Sequence, residues 1–318
     1  EESPKDKAGL WLRLLGFALL PLTVQAFQPA IGGALGIMVP LPLAYGMTRR
    51  GYLEGTAAVS FIGLLTSFIL GAGQGFYFLL ETLPLCVGIR WTVRFRGPLY
   101  RPVLTAVVMV GLFALAAATL YGAATDTAPG ELYRQAIKSM GLFVNDMSGS
   151  SGLSDQEQKQ VLWMVELWQR MFVGIWLATL LLLVTFYSLL VRGWMIAAGA
   201  MEDDGSALLS RWKLPFPFVF SFILVASLVL LTTGTARDVA LNALVPLAAL
   251  YGIQGVVVAG HMFTLWALPS FFRVMVLAFG IIAFPLWFMV MVALIGLFDT
   301  WINFRQRWPL QMPPPPVT

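Results

Sequence analysis

Long uncharged stretches, divided by short charged ones, set the rhythm of this chain. Residues 14–48 contain no Asp, Glu, Lys or Arg. A helix needs about 20 predominantly apolar residues to cross the ~30 Å hydrocarbon core of a bilayer, where lipid offers no partner to an unpaired backbone group. The Gln28-Pro29 step with Gly32 and Gly33 divides that stretch into two expected spans, 9–26 and 31–48, with Arg13 snorkelling to the interface. Runs at 55–72 and 75–93, joined by a turn at Gly71-Ala-Gly73-Gln-Gly75, and a run at 103–124 after Pro102 complete a first group of five. Runs at 171–191, 214–236, 239–272 and 274–298 predict four more, with Pro269 and the Phe271-Phe272 pair marking a bend at the interface. The expected fold is all-α, a polytopic transmembrane bundle of about eight or nine spans.

Residues 126–170 break the rhythm, with Asp126, Glu131, Asp146, Asp155, Glu157 and Glu166 set against Arg134, Lys138, Lys159 and Arg170. Leu132, Tyr133, Ala136, Ile137 and Met140 recur on one helical face, which predicts a short amphipathic helix on the membrane surface after Pro129, followed by a loop at 145–152. Ser154 and Glu157 fit a capping box, so a helix starting there is expected to run through Trp163 and Trp168 into the next span. The chain then reads as one membrane domain: a five-span bundle (9–125), a hydrated excursion (126–170), C-terminal spans (171–300) and a tail (301–318). Pro313-Pro-Pro-Pro316 predicts an extended, disordered end.

Composition sharpens this. Apolar residues make up 58% of the 318 and charged ones 11%, against roughly 25% charged in an average soluble domain, so such a chain cannot solvate its own surface and lipid must cover it. The net charge of +4 is spread over separate loops, which argues against a nucleic-acid patch. The single cysteine, Cys86, allows no intrachain disulfide and no cysteine-based metal site, and no cofactor is expected. The sequence begins at Glu1 without an initiator Met, and the apolar run from Leu10 continues without an A-x-A-like break, so it reads as a span and not as a cleaved signal.

Arg49 and Arg50, then Arg90, Arg94, Arg96 and Arg101, then Arg192, Arg211 and Lys213 fall in alternate loops. The positive-inside rule places these loops, and the N-terminus with Lys5 and Lys7, in the cytoplasm, and the excursion outside. Nine spans would leave Arg305 and Arg307 outside, against the same rule, so the last third must hold one span more or fewer, or the tail is an exception. Arg90, Arg94, Arg96 and Arg101 can hold anionic lipid headgroups or a protein partner.

Polar groups at membrane depth are the candidates for function. Glu81, in Tyr77-Phe-Leu-Leu-Glu-Thr-Leu-Pro-Leu-Cys86, reads either as a ligand, cation or proton site beside a helix loosened by Pro84, with Arg90 or His261 as partner, or as a carboxylate paired with an arginine to lock two helices. Tyr251, Gln254 and His261 share one helix face and form a polar stripe, which lines a cavity or makes interhelical hydrogen bonds. Gln25 and Gln28 invite the same two readings, and Gly32 and Gly36 have the spacing of a small-residue helix contact. The sequence has no phosphate-binding loop, no H-E-x-x-H, no C-x-x-C and no G-x-S-x-G, which disfavours ATP-driven pumping and membrane metalloprotease chemistry.

The run Gly296-Leu-Phe-Asp-Thr-Trp-Ile-Asn-Phe-Arg305 resembles the YybS-like family of bacterial multipass membrane proteins, whose function is unknown. Ile253-Gln-Gly-Val-Val-Val-Ala-Gly-His261 and Pro40-Leu-Pro-Leu-Ala-Tyr-Gly46 agree with it. The resemblance covers nearly the whole chain and implies a bacterial inner-membrane protein, without an activity. Asn303 stands where the family pattern has an acid more often. A remoter similarity, in hydropathy and in Gly and Pro placement, is to energy-coupling-factor S components and the rod-shape protein MreD. Asp299, Trp301, Asn303 and Arg305 lie where a span meets water, with Asp299 and Asn303 on one face if the helix continues. They read as an anchor for helix depth or a docking surface.

These features favour a non-enzymatic small-molecule binding or transport component, with Glu81, Gln254, His261 and Tyr251 around the ligand. The alternative is a scaffold that docks other envelope proteins. An enzyme using Glu81 and His261 as acid and base ranks last, since nothing in the sequence brings them together.

Overall fold

The computed structural model describes residues 4–27, 36–124, 155–202 and 208–308, and within them the regular structure is entirely helical. Eleven α-helices follow in order: α1 (Pro4–Phe27), α2 (Pro40–Arg50), α3 (Tyr52–Leu70), α4 (Ala72–Arg94), α5 (Tyr100–Ala124), α6 (Asp155–Ala197), α7 (Pro217–Leu231), α8 (Gly234–Leu265), α9 (Ser270–Ala283), α10 (Pro285–Ile302) and α11 (Phe304–Arg307), with a 3-10 turn at Leu208–Arg211. The expected amphipathic helix at 132–140, the loop at 145–152, the Ser154 cap, the Gly32 contact and the polyproline tail lie outside the described residues.

Five helical stretches are long and apolar enough to cross a bilayer: Tyr52–Leu70, Ala72–Arg94, Tyr100–Leu120, Glu166–Ala197 and Gly234–Leu265. Shorter apolar helices occupy Gly9–Pro21, Pro217–Leu231, Ser270–Ala283 and Trp287–Ile302. The outer surface is apolar, with Phe68 90% exposed and Leu53 86% exposed. Side chains of this size, exposed in such numbers, are incompatible with a water-facing exterior. These helices belong in a membrane.

Two compact units make up the chain: residues 1–169 with 183–208, and residues 170–182 with 209–318. In the first, α2 is buried from Leu41 to Thr48 and packs on α1, α3 and α4, while α3 and α5 flank α4. The 31–48 stretch therefore does not form one span within its described part. Within that part the helix from Pro40 is 11 residues long, about 16 Å at 1.5 Å per residue, roughly half a bilayer core. Gly51, at φ 116°, takes the backbone conformation that lets α2 turn directly into α3. Gly71 does the same between α3 and α4, so Gly73 and Gly75 lie inside α4 and not in the expected turn. The helix predicted to begin near Ser154 is present from Asp155. At 43 residues, about 65 Å, it is longer than any bilayer core.

In the second unit, α8 packs along α10 and α7. The uncharged run 274–298 divides at Phe284-Pro285 into α9 and α10, because proline has no N–H to continue the ladder and starts a new helix instead. α8 ends at Leu265, Ala267 adopts φ 51°, and Pro269 precedes α9, so the expected bend is where Pro269 marked it. Within this unit the Asn242 amide reaches into α6. Its Oδ1 accepts the Gly174 N–H at 2.7 Å and its Nδ2 donates to the Arg170 carbonyl at 2.6 Å, the two groups that one helical turn would pair with each other.

Candidate functional site

The second unit holds a closed polar node. Asp299, near the end of α10, is 2% exposed, and Gln254, on α8, is 1% exposed. Gln254 Nε2 donates to Asp299 Oδ2 at 3.0 Å, and Gln254 Oε1 accepts the Leu214 N–H at 3.0 Å. Arg305 Nη2 meets the same carboxylate oxygen at 3.3 Å, and its Nη1 donates to the Ser210 carbonyl at 3.2 Å. The second oxygen, Oδ1, accepts the Phe304 N–H at 2.9 Å. A buried carboxylate is tolerated only when its charge and lone pairs are met, and here three donors meet them.

Local sequence explains how the donors arrive. α10 does not continue to Asn303, so Asp299 and Asn303 do not share a helical face as they would in a longer helix. Asn303 instead takes the left-handed conformation, φ 50° and ψ 55°, and its N–H caps the Asp299 carbonyl at 2.9 Å. That reversal turns the Phe304 N–H and the Arg305 side chain back onto Asp299. Asparagine enters this conformation more readily than most residues, which gives its presence at 303 a physical reason. The node also needs α8 and α10 to approach closely. A Cβ built on Gly255 would overlap the Val292 carbonyl, and one on Gly296 would overlap the Tyr251 carbonyl and lie 2.7 Å from Gly255 N.

The rest of the expected stripe goes elsewhere. Tyr251 is buried with its ring edge against Phe222, centroids 5.5 Å apart, and its hydroxyl has no hydrogen-bond partner among the described residues. His261 Nε2 lies 2.8 Å from the Trp308 carbonyl. Trp301 is exposed beside Phe298. Gln254 thus joins Asp299 and Arg305, which sequence reasoning held in a separate group, while Tyr251 and His261 face other partners.

The first unit presents a different arrangement. Glu81 lies close to the middle of α4, exposed on the helix surface, with no hydrogen bond or ion pair among the described residues. Pro84 does not break α4, but it has no N–H to offer the Leu80 carbonyl beside Glu81. Tyr187, buried on α6, donates its hydroxyl to the Ile37 carbonyl, and the Cys86 thiol donates to the Pro40 carbonyl at 3.6 Å. Both acceptors belong to the turn that starts α2. In that turn Val39 N–H bonds Gly36 at 3.1 Å and Leu41 N–H bonds Met38 at 3.2 Å, while Pro40 and Pro42 carry no N–H.

Arg90 and Arg94 face the opposite end of α2. Arg90 donates to the carbonyls of Met47 and Thr48, the latter at 3.0 Å, and Arg94 donates to Thr48 at 2.9 Å, so two cations cap a helix C-terminus. The Arg90 guanidinium also covers the Tyr52 ring at 4.4 Å. Arg96 is exposed, and exposed Arg101 bonds the Tyr100 hydroxyl at 3.3 Å.

Sequence reasoning missed Tyr187, Asn242, Ser210 and the Gly255–Gly296 contact. Nothing set Tyr187 apart from Thr185 and Ser188 beside it; Asn242 could be noticed because it lies four residues before Pro246, whose missing N–H leaves the Asn242 carbonyl without its helical donor. Ser210 contributes only a backbone carbonyl and carried no signal. Among the described residues no three of His, Cys, Asp and Glu gather as a metal-binding set. Neither a curated protein nor a solved structure matches the chain. A family model does match, over residues 17–300, and the chain belongs to that family of predicted membrane proteins, DUF2232.

Proposed function

We propose that this chain is a non-enzymatic, multipass component of a bacterial cytoplasmic membrane that binds a small solute at Glu81. The observation that carries the reading is the contrast between Asp299, near the end of α10, and Glu81, near the middle of α4. Asp299 has three donors; Glu81 has none among the described residues. A charge near the bilayer centre costs at least ~2.5 kcal/mol on insertion scales, so an unpaired carboxylate there is kept for something other than stability. A half-length helix, α2, begins at the carbonyl that Cys86, also on α4, reaches, and such a helix is the feature by which carriers expose polar backbone at membrane depth. The groups at Glu81 favour a solute that brings its own hydrogen-bond donors or positive charge, because the Leu80 carbonyl and the Glu81 carboxylate both accept.

Native mass spectrometry of protein purified from its own membranes tests this. A small molecule should co-purify with the wild type and be lost from Glu81→Gln. Equal retention by Glu81→Gln removes Glu81 from the site.

The same reading takes eight or nine crossings and a cytoplasmic N-terminus. It is supported at the other end by Arg305, which bonds Ser210 and so keeps the C-terminal arginines beside the basic Arg211–Lys213 segment. An even number of crossings between Leu214 and Phe304 removes the conflict raised by the tail. A second reading, a docking subunit for envelope proteins, draws on α6, whose length leaves its first turns beyond the bilayer. Crosslinking from residues 156–168 should capture a specific partner if that reading holds.

A further inference from the structure

Trp308, which follows α11, lies with Met262, Leu265 and Trp266 around an open apolar cleft of about 320 Å³ at one end of the second unit. The main chain there is fixed, because His261 Nε2 holds the Trp308 carbonyl. Arg307, next to Trp308, is exposed, and its guanidinium makes no hydrogen bond or ion pair among the described residues. Arg305 is turned the other way, onto Asp299 and Ser210. Its bond to Ser210 brings the chain of Lys213 to the same end, and Lys213 too is exposed without a bonded partner among the described residues. Asp299 is buried and already met by Arg305, so it does not neutralise Arg307.

We propose that this cleft binds an anionic phospholipid, with one acyl chain between Trp266 and Trp308 and the headgroup phosphate on Arg307. Tryptophans at such a position belong at headgroup level, where a ring packs on an acyl chain while its N–H stays wet. The apolar walls alone would accept any lipid. Arg307 adds the selection, worth roughly 1 kcal/mol for a cation near the surface, or about fivefold in affinity. The site is independent of Glu81 and stands or falls apart from it.

The test is competition in detergent between equimolar phosphatidylglycerol and phosphatidylcholine, read by native mass spectrometry. Wild type should retain phosphatidylglycerol at least about fivefold over phosphatidylcholine. Arg307→Gln should bring the two lipids close to parity, Met262→Trp should lower retention of both by filling the cleft, and Lys159→Gln, on α6, should change neither. Equal retention of the two lipids by wild type overturns the proposal. So does unchanged selectivity in Arg307→Gln, or unchanged retention in Met262→Trp.

Discussion

Gly296 of α10 meets Gly255 of α8 so closely that a Cβ on Gly296 would lie 2.7 Å from the Gly255 nitrogen. The contact brings the two backbones together one residue after Gln254 and three residues before Asp299. It is the packing condition for their 3.0 Å hydrogen bond. Small residues at helix crossings serve membrane proteins in this way, because apolar side chains gain little by leaving lipid for one another.

Gly255→Ala and Gly296→Ala should therefore each destabilise the protein by about 1–3 kcal/mol, the usual penalty for overpacking. Thermal unfolding in detergent reads this directly. Melting temperatures unchanged in both variants would mean that the helices can separate freely at this point.

Removing Arg305 tests the node as a unit. Arg305→Met leaves a buried carboxylate with Gln254 and the Phe304 N–H alone, and the loss should be about 1.5–3 kcal/mol, the range for a hydrogen bond to a charged group. Asp299→Leu combined with Arg305→Leu should recover part of that loss, since a buried pair replaced by apolar residues is often neutral or better. Additive losses in the double variant would show that the two residues do not act on each other.

Asn303 should be replaceable by Gly at little cost, because Gly enters the left-handed region freely. Asn303→Val should cost about 1–2 kcal/mol through its Cβ alone. Equal melting temperatures for the two variants would contradict the left-handed cap.

Much of this fold could be read in the chain, and the exceptions share one cause. Uncharged runs measure compatibility with hydrocarbon, and they found α3 and α5 nearly to their ends. They do not measure helix continuity. The 31–48 run is interrupted just before Pro40, and 274–298 divides at Pro285, because a proline interrupts hydrogen bonding without changing polarity. The site was legible to the same degree. Gln254 stood out as a polar group in an apolar helix, but helical spacing grouped it with Tyr251 and His261, which lie on its own helix. Its true partner, Asp299, comes from α10, and only the contact between Gly255 and Gly296 selects it. Arg90 and Arg94 were visible as loop cations; their use as caps on α2 was not, since backbone carbonyls leave no trace in a sequence.

The tail can be placed by labelling. With Cys86 replaced by Ala, single cysteines at Lys213 and Gln306, both exposed, should react with an impermeant maleimide from the same face of the membrane. The Arg305 bond to Ser210 requires it. Labelling from opposite faces would separate the two segments and break the node.

The account turns on one distinction, that Asp299 serves the fold while Glu81 serves a ligand at the fold's expense. Its most direct measurement is the melting temperature of ligand-free Glu81→Gln in detergent, set against ligand-free wild type. Neutralising an unpaired carboxylate at membrane depth should leave that temperature the same or raise it. A fall comparable to that of Arg305→Met would make Glu81 a structural anchor and contradict the account.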